Sequence, residues 1–300
     1  MEGGGKSDYV VCIPSYKRSH ICNDKTLTTL KNAGIHANRI YVYVANKQEY
    51  DEYLSVLDKS LYHRLIIGEK GIVQQRQFIM DQWPEGKQIV YLDDDVEKID
   101  LSLSPRFRGK PLDYFIRNAF SDCKEMGAFT WGVYAVYNPF FRKGRKELST
   151  ELNFIVGTVY GIINRPHLRS IRVTAALKEN GQKEDVERTI KYFIHDGIVL
   201  RYNRIGFVTK YYGTEGGLGR FEERIQSGIN ISKAFAKLYP DYGHIKMRKN
   251  GMAEFVLKKI PARIGPNEVD DESISHKTTQ KQKKKQNTRK HSNTLKRFFH

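Results

Sequence analysis

The chain has 300 residues, a hydrophobic content of 39% and a formal net charge of +17, with a pI of about 9.6. Its length and composition are those of a globular protein with one substantial core or two smaller ones. No apolar run approaches the roughly 20 residues that a membrane-spanning helix needs. The basic charge favours polyanionic partners, most often nucleic acid.

The N-terminus and the cysteines disfavour secreted and zinc-binding classes of protein. The opening sequence MEGGGKSDYV has no apolar segment of the kind found in secretory signals. Cys12, Cys22 and Cys123 fit neither a disulfide framework nor a zinc site with paired ligands, so we interpret them as core thiols. We therefore expect a soluble intracellular protein with no membrane partner and no obligate protein partner.

Strands and helices alternate in the first third of the chain. Apolar runs rich in β-branched and aromatic residues predict strands at 9–13, 39–45, 65–67 and Gln88–Leu92. Helical spacing predicts helices between them at 25–32, 49–60 and 72–83. Such βαβ units imply parallel strand pairing, so the expected fold class is α/β.

The second part of the chain is less regular. Helices are predicted at Leu112–Met126, 184–196 and Phe221–Leu238. Strands are predicted at 127–137, 154–164 and 253–256 and as a pair at 198–202 and 207–212, with a basic loop at 138–151 and a glycine-rich loop at 213–219. Gly157 and Gly161 suggest close backbone approach or a bulge in their strand. Residues 1–264 would form a single domain and 265–300, basic and poor in apolar residues, a disordered tail.

Three consecutive carboxylates, Asp93, Asp94 and Asp95, follow the apolar strand Gln88–Leu92. Adjacent carboxylates repel one another, and a hard divalent cation with oxygen ligands would hold them. On an extended backbone, Asp93 and Asp95 point to one side and Asp94 to the other. A solvated acidic turn is the alternative interpretation.

A second acidic feature, Glu184 and Asp185, opens a predicted helix. Acidic residues in a first turn interact favourably with the helix dipole, so capping is the alternative to a catalytic role. Arg76 ends a G-x-x-x-x-R segment that begins at Gly71, near the first turn of the helix at 72–83. For Arg76 the alternative is an ordinary exposed helical arginine.

The order of these motifs resembles that of nucleotide-sugar glycosyltransferases with the GT-A fold. Those enzymes have an N-terminal nucleotide-binding α/β half, a G-x-x-x-x-R helix, a metal-binding D-x-D at a strand end and, in inverting members, an E-D pair that supplies the catalytic base. The resemblance implies a GT-A (Rossmann-like) mixed sheet flanked by helices in a single catalytic domain.

The resemblance also implies roles for individual residues. Asp185 would be the catalytic base, with Glu184 beside it, and Asp95 and Asp93 would hold Mn²⁺ or Mg²⁺. The nucleotide-sugar donor would be bound by Pro14, Ser15, Tyr16, Arg18, Arg76, Asp93 and Asp94. An Asp185 that attacked the sugar itself would give retention in place of inversion.

Members of this family often use a histidine near the C-terminus as an additional metal ligand. His195 and His244 are the candidates here, and an ordinary surface or core histidine is the alternative for each.

More narrowly, residues from about 9 to 260 resemble the TET/JBP-associated glycosyltransferases, which include the base J glucosyltransferase of kinetoplastids and relatives in phages and large DNA viruses. The matching segments are YLDDDV, IVGTVYGIINR, EDVERTIKYF and YYGTEGGLG. This resemblance implies transfer of glucose from UDP-glucose to the hydroxymethyl group of 5-hydroxymethylpyrimidines in DNA. A viral chain of this kind would act in the host cytoplasm or nucleus.

A DNA acceptor would contact the basic parts of the chain. The candidate residues are Arg142, Lys143, Arg145, Gly216, Gly217, Lys283, Lys284 and Lys285. Tyr137, Phe140 or Phe141 would stack on or replace an extruded base, unless they belong to the core. Two other functions stay open: a family-2-like transferase that acts on a protein or glycan, and a nucleic-acid-binding protein without catalysis.

Overall fold

The structure is a computed structural model that describes residues 9–174, 182–209 and 221–263. Its strands are β1 (Tyr9–Pro14), β2 (Ile40–Val44), β3 (Arg64–Ile67), β4 (Gln88–Leu92), β5 (Val96–Asp100), β6 (Thr130–Val133), β7 (Leu148–Ser149), β8 (Val159–Ile163), β9 (Leu200–Tyr202), β10 (Gly206–Thr209), β11 (Gly243–Met247) and β12 (Ala253–Leu257). Its helices are α1 (Ser19–Ile21), α2 (Thr28–Asn32), α3 (Lys47–Val56), α4 (Ile72–Gln82), α5 (Leu112–Met126), α6 (Pro139–Arg142), α7 (Glu184–Asp196) and α8 (Phe221–Leu238). A π-helical segment, Cys22–Leu27, joins α1 to α2.

Eight strands form a central sheet in the order β3-β2-β1-β4-β8-β6-β9-β7. Strands β3, β2, β1 and β4 run parallel, and β8 runs antiparallel to both of its neighbours, β4 and β6. The parallel part needs long crossover connections, which the helices between these strands supply. The predicted fold class, an α/β mixed sheet flanked by helices, is confirmed.

Alternate residues of the central strands pack into two cores, one on each face of the sheet. In β1, Tyr9, Val11 and Ile13 belong to one core, and Val10 and Cys12 belong to the other. Because side chains alternate along a strand, a strand that is covered on both faces must be apolar throughout. This requirement explains the uninterrupted apolar runs of β1 and β4.

The carboxyl ends of β4 and β6 lie at the same edge of the sheet, since β8 is antiparallel to both strands. Leu92 of β4 pairs with Val159, and Gly132 of β6 pairs with Tyr160. The two strand ends are therefore about 10 Å apart, which is twice the spacing between neighbouring strands. We call this side of the sheet the carboxyl edge, and the residues that follow β4 and β6 meet there.

Three predictions about the strands need correction. The predicted pairing of 198–202 with 207–212 is wrong, because β9 pairs with β6 and β7 whereas β10 pairs with β5. The strands predicted at 127–137 and 154–164 are shorter, and correspond to β6 and β8. Strands β5 and β11 were not predicted, because each has several exposed residues and lacks a continuous apolar run. The two-residue strand β7 lies in the segment that was predicted as a basic loop.

In the part of the chain that the structure describes, no helix is long and apolar enough to cross a membrane. The three cysteines are buried and form no disulfide, in agreement with the core-thiol interpretation. The predicted tail and the glycine-rich loop lie outside the described residues, and so do Gly216, Gly217, Lys283, Lys284 and Lys285.

Candidate functional site

The three consecutive carboxylates lie at the carboxyl edge, in the connection from β4 to β5. Strand β4 ends at Leu92, and Asp94 and Asp95 form a turn. Nη1 of Arg18 lies 3.4 Å from Oδ1 of Asp94 and 3.6 Å from Oδ2 of Asp95. These two carboxylates therefore face the same guanidinium. The expectation that they point to opposite sides is wrong, because it assumed that the extended backbone continues to Asp95.

Asp94 is a buried carboxylate that fastens the turn to the loop after β1. Oγ of Ser15 donates a hydrogen bond of 2.5 Å to Oδ2 of Asp94 and lies 2.7 Å from the Tyr53 hydroxyl. That hydroxyl also accepts a bond of 3.0 Å from the backbone N–H of Arg18. Burial raises the pKa of Asp94 to about 7, against the opposing effects of Ser15 and Arg18. Asp94 is thus buried, and its contacts with Ser15 and Arg18 hold the turn in place.

The loop after β1 brings the other predicted donor-binding residues close to this turn. Pro14 ends β1 and pairs with Tyr43, and Tyr16 is half-buried. Lys17 has a φ of 55°, in the left-handed region that is uncommon for residues other than glycine. Its backbone N–H donates a bond of 2.8 Å to Oε2 of Glu49, which holds this conformation.

Arg76 of α4 joins the carboxylates after β4 to the start of α7. Its Nη2 donates to Oδ1 of Asp93 at 2.9 Å and to the carbonyl oxygen of Gly157 at 2.8 Å, and its Nη1 donates to Glu184. Arg76 is only 7% exposed and Glu184 only 5%. Arg76 is therefore not an exposed helical arginine. Because both of its terminal nitrogens bind protein oxygens, it positions Asp93 and Glu184 relative to each other.

Glu184 is neutralised by a second arginine, one helical turn further along α7. Nη1 of Arg188 lies 3.3 Å from Oε2 of Glu184, and the Arg188 guanidinium stacks 3.5 Å from the centroid of the Tyr160 ring. Tyr160 in turn stacks on Tyr91, with ring centroids 4.8 Å apart. This buried layer fixes the side chain of Glu184. Its neighbour Asp185 is the more exposed carboxylate of the two.

Asp185 is half-buried and lies next to the carboxyl edge. Its Oδ2 accepts a bond of 3.1 Å from the backbone N–H of Gly157, and its Oδ1 accepts one of 2.9 Å from the N–H of Val186. A Cβ atom at Gly157 would lie 2.8 Å from Nη1 of Arg76 and 3.1 Å from Oε1 of Glu184. The close approach predicted from this glycine is confirmed.

The charges at the site act on one another. Burial raises the pKa of Asp93, Arg76 opposes this effect, and the carboxylates of Asp95 and Asp185 raise the pKa further. The carboxylates of Asp95 and Asp185 therefore both lie within electrostatic reach of Asp93. The fold brings together acidic groups that are separated by about 90 residues in the sequence.

Two carboxylates at this turn fit a divalent cation that is shared with a substrate. Among the described residues, no group of three or more His, Cys, Asp or Glu side chains is arranged to hold a metal ion. Mg²⁺ is usually bound by one or two carboxylates together with phosphates and water, and Asp93 and Asp95 supply such a pair. Among the described residues, this pair of carboxylates suits a cation that phosphates and water also bind.

Of the two candidate histidines, His195 lies away from these carboxylates. His195 lies on α7 ten residues after Asp185, about 15 Å further along the helix, and its Nδ1 is 2.7 Å from Oδ1 of Asp196. His244 is exposed on β11, in a separate two-stranded sheet. His195 matches the alternative interpretation of an ordinary histidine, and a metal-ligand role of His244 stays a prediction.

Arg142, predicted to contact nucleic acid, has a different role. It is fully buried, and its Nη2 lies 2.6 Å from Oδ2 of Asp100. Its Nε donates to the Tyr137 carbonyl at 2.9 Å and its Nη1 to the Arg204 carbonyl at 3.0 Å. A guanidinium enclosed in this way anchors α6 and does not reach a phosphate. The neighbouring side chains, Lys143 and Arg145, are exposed.

Two residues of the site were missed from the sequence. Arg188 follows Glu184 by four positions on a predicted helix, and this spacing is a signal that could have found the pair. Tyr53 has no such signal, because its partner Ser15 lies 38 residues away on a different element.

No protein-family model and no curated protein matches the sequence. Among solved structures, the chain is similar to residues 1–349 of TarS from S. aureus, with 16% identity over 76% of this chain and 65% of that chain and a TM-score of 0.42. It is also similar to the mannosyltransferase PcManGT from Pyrobaculum calidifontis in complex with GDP-Man and Mn²⁺, with 16% identity over 78% of this chain and 64% of that chain and a TM-score of 0.45. A third similar structure is GalNAc-T7 with UDP, GalNAc and Mn²⁺, with 13% identity over 79% of this chain and 51% of that chain and a TM-score of 0.45.

The chain thus spans between 51% and 65% of the length of these three solved chains. With TM-scores of 0.42 to 0.45 the likenesses are distant, and no function of this chain follows from them.

Proposed function

We propose that the protein is a metal-dependent glycosyltransferase that moves a hexose from a nucleotide sugar to a hydroxyl group. The observation that carries this proposal is the meeting of three distant segments at the carboxyl edge. They are the turn with Asp93 and Asp95, the loop with Ser15 and Arg18, and the start of α7 with Asp185. Ligands of open α/β sheets bind outside the carboxyl ends of the strands, where these segments lie.

The donor would lie with its diphosphate beside Asp95 and Asp93. A nucleoside diphosphate is a poor leaving group unless its developing charge is neutralised, and Mn²⁺ or Mg²⁺ held by these two carboxylates would supply that neutralisation. Arg18, 3.6 Å from Asp95, adds a guanidinium whose planar geometry suits phosphate oxygens. The loop with Pro14, Ser15 and Tyr16 would hold the nucleoside, and we propose UDP-glucose as the donor.

Asp185 would act as the general base. The acceptor oxygen forms a bond to the anomeric carbon, the bond from that carbon to the diphosphate oxygen breaks, and its electron pair leaves with the nucleoside diphosphate. Asp185 takes the proton of the attacking hydroxyl group, a contribution of about 10²–10⁴-fold for a well-positioned base. This direct displacement inverts the anomeric configuration. The N–H groups of Gly157 and Val186 orient the carboxylate for this task.

Glu184 and Arg76 would support the base without touching the reacting atoms. The buried pair fixes the start of α7 against the Asp93 side of the site, so that the base and the donor carboxylates keep one relative position. Misplacement of reacting groups by about 1 Å can cost about 10²-fold in rate, so this bridge has catalytic consequences.

We propose the hydroxymethyl group of a 5-hydroxymethylpyrimidine in DNA as the acceptor. The net charge of +17 supports a polyanionic acceptor, and the exposed side chains of Lys143 and Arg145 follow β6 at the carboxyl edge. The resemblance of YLDDDV and EDVERTIKYF to segments of the TET/JBP-associated glycosyltransferases supports the same acceptor. A protein or glycan acceptor would leave the charge without an explanation.

The donor half of the proposal is tested by UDP release from UDP-glucose, with and without Mn²⁺. We expect Mn²⁺-dependent release by the wild-type protein and a loss of about 10²-fold or more in Asp95→Asn. Asp51→Asn is the matched control, because Asp51 is an exposed carboxylate on α3 that pairs with Lys47 one turn away, and this variant should release UDP normally. Equal rates for the two variants would contradict the role of Asp95, and no release from any UDP- or GDP-sugar would contradict the transferase.

A further inference from the structure

Two phenylalanine side chains are exposed together on the connection from β6 to β7. Phe140 is 80% exposed and Phe141 is 48% exposed, and their rings are in edge-to-face contact with centroids 5.4 Å apart. Val136 and Tyr137, a few residues earlier, are 41% and 39% exposed. Single exposed apolar residues are ordinary, but a cluster of four on one short segment indicates an interaction site.

The exposed rings are held by a built framework. Arg142, directly after the two phenylalanines, is buried and binds the side chain of Asp100 and the backbone carbonyls of Tyr137 and Arg204. The side chain of Asn138 accepts a bond of 3.0 Å from the N–H of Phe140 and caps the short helix α6. The Arg142 end of the segment is therefore fastened to β5 and to the turn after β9.

This segment lies at the same edge of the sheet as the carboxylates. Tyr134 follows β6 directly, and its N–H donates a bond of 3.0 Å to the Ile205 carbonyl. The start of β8 lies between the ends of β6 and β4. Gly157 precedes this start by two residues, and its N–H donates a hydrogen bond to Asp185. The connection from β6 to β7 and the Gly157–Asp185 contact therefore start from the same edge of the sheet.

The charge of the segment selects the kind of ligand. Residues 134–146 contain four cations and no carboxylate. Lys143, Arg145 and Lys146 are exposed, and the Arg145 guanidinium lies over the Tyr134 ring at 4.6 Å from its centroid. Exposed rings interspersed with cations form the combination that binds unpaired nucleotides, because bases stack on the rings while phosphates pair with the cations.

We propose that Phe140 and Phe141, flanked by Lys143, Arg145 and Lys146, form a platform that stacks on unpaired bases of single-stranded or locally opened DNA at the carboxyl edge. The identity of the acceptor base rests on the proposed function, whereas stacking on the platform requires no catalysis. In a duplex, a ring of the platform would fill the space that an extruded base leaves.

The first test places a fluorescent reporter in the platform. Phe140→Trp adds a third tryptophan to the two of the chain, and wild-type protein gives the background signal. We expect a single-stranded oligonucleotide of 20 nucleotides to quench the added fluorescence through stacking, and to do so at lower concentration than a fully paired duplex of the same sequence.

The second test measures affinity by the fluorescence anisotropy of a labelled oligonucleotide. The double variant Phe140→Ala/Phe141→Ala should bind single-stranded DNA about 10- to 100-fold more weakly, and it should fold normally because both side chains are exposed. Tyr114→Ala is the matched control. Tyr114 is 43% exposed on α5. Its neighbour Asp113 accepts a hydrogen bond from Tyr9 at the amino end of β1, opposite the carboxyl edge, so loss of the Tyr114 ring should leave DNA affinity unchanged.

Each further outcome supports or overturns the platform. Unchanged DNA affinity in the double variant, or quenching of the Phe140→Trp signal by vesicles of phosphatidylglycerol and phosphatidylcholine but not by DNA, would overturn it. Quenching by DNA in a protein that releases no UDP from any nucleotide sugar would refute the proposed function and leave the platform standing. UDP release without quenching would remove the platform alone.

Discussion

Replacement of Arg76 by methionine tests whether α4 joins the two acidic parts of the site. The guanidinium of Arg76 is buried, contacts Glu184 and binds both Asp93 and the Gly157 carbonyl. Methionine has a similar length, and its sulfur can contact the Tyr160 ring that the guanidinium faces, so the substitution removes the polar contacts with little change in packing.

We expect Arg76→Met to lower the free energy of unfolding by about 3 kcal/mol. Loss of one member of a buried ion pair costs about 3–5 kcal/mol, because the remaining charge stays in the interior without its partner. The low end applies here, since Glu184 keeps Arg188 at 3.3 Å and the side chain of Asp93 is 33% exposed to water. Arg76→Lys keeps the charge but not the geometry in which two terminal nitrogens bind separate oxygens. It should lower the free energy of unfolding by roughly 1–2 kcal/mol.

Equilibrium urea unfolding, followed by circular dichroism, measures these losses. Arg172→Met is the control, because its partner Asp81 on α4 is 51% exposed and a surface pair contributes only about 0–1 kcal/mol. A double-mutant cycle with Glu184→Gln should give a coupling of at least about 1 kcal/mol. A loss below about 1 kcal/mol in Arg76→Met, or equal losses in Arg76→Met and Arg172→Met, would refute the buried bridge.

Three further predictions concern the α6 anchor, the base and the cation site. Arg142→Met should lower the free energy of unfolding by about 3–5 kcal/mol, because it leaves Asp100 buried without its partner. The control Lys143→Met should change the free energy of unfolding by less than about 0.5 kcal/mol. Similar urea midpoints for the two variants would be inconsistent with the anchor. Asp185→Asn should reduce kcat by about 10²–10⁴-fold while calorimetry shows unchanged nucleotide affinity, and an unchanged kcat would exclude Asp185 as the base. Arg18→Ala should tighten Mn²⁺ binding several-fold, because it removes a cation that lies 3.6 Å from the Asp95 carboxylate of the proposed metal site. Electron paramagnetic resonance of free Mn²⁺ measures the affinity, and weaker Mn²⁺ binding by the variant would contradict the proposed metal site.

The alternating strands and helices of the first third of the chain could be predicted because burial on both faces leaves a plain pattern. Strands β1 and β4 are buried at every position, so each is apolar throughout or nearly so. Strands β5 and β11 could not be predicted in the same way, because consecutive exposed residues interrupt the apolar run in each of them. The partner of β5 is β10, about 100 residues later, and no local signal shows that pairing.

The candidate site could be predicted only as a set of motifs. Motif order indicated Asp93 to Asp95, Arg76 and the pair at 184–185, but the contact between Arg76 and Glu184 spans 108 residues and depends on the order of the strands. Arg142 illustrates the same limit, because a basic local sequence does not show that its guanidinium is buried against Asp100, 42 residues earlier.

Nucleoside mass spectrometry tests the proposed reaction most directly. The protein is incubated with Mn²⁺, UDP-glucose and duplex DNA that carries either 5-hydroxymethylcytosine or 5-hydroxymethyluracil, with unmodified DNA and Asp95→Asn as controls. We predict a hexose on one of the two modified bases and none in either control. Absence of hexose from both modified bases, while Mn²⁺-dependent UDP release persists, would contradict DNA as the acceptor.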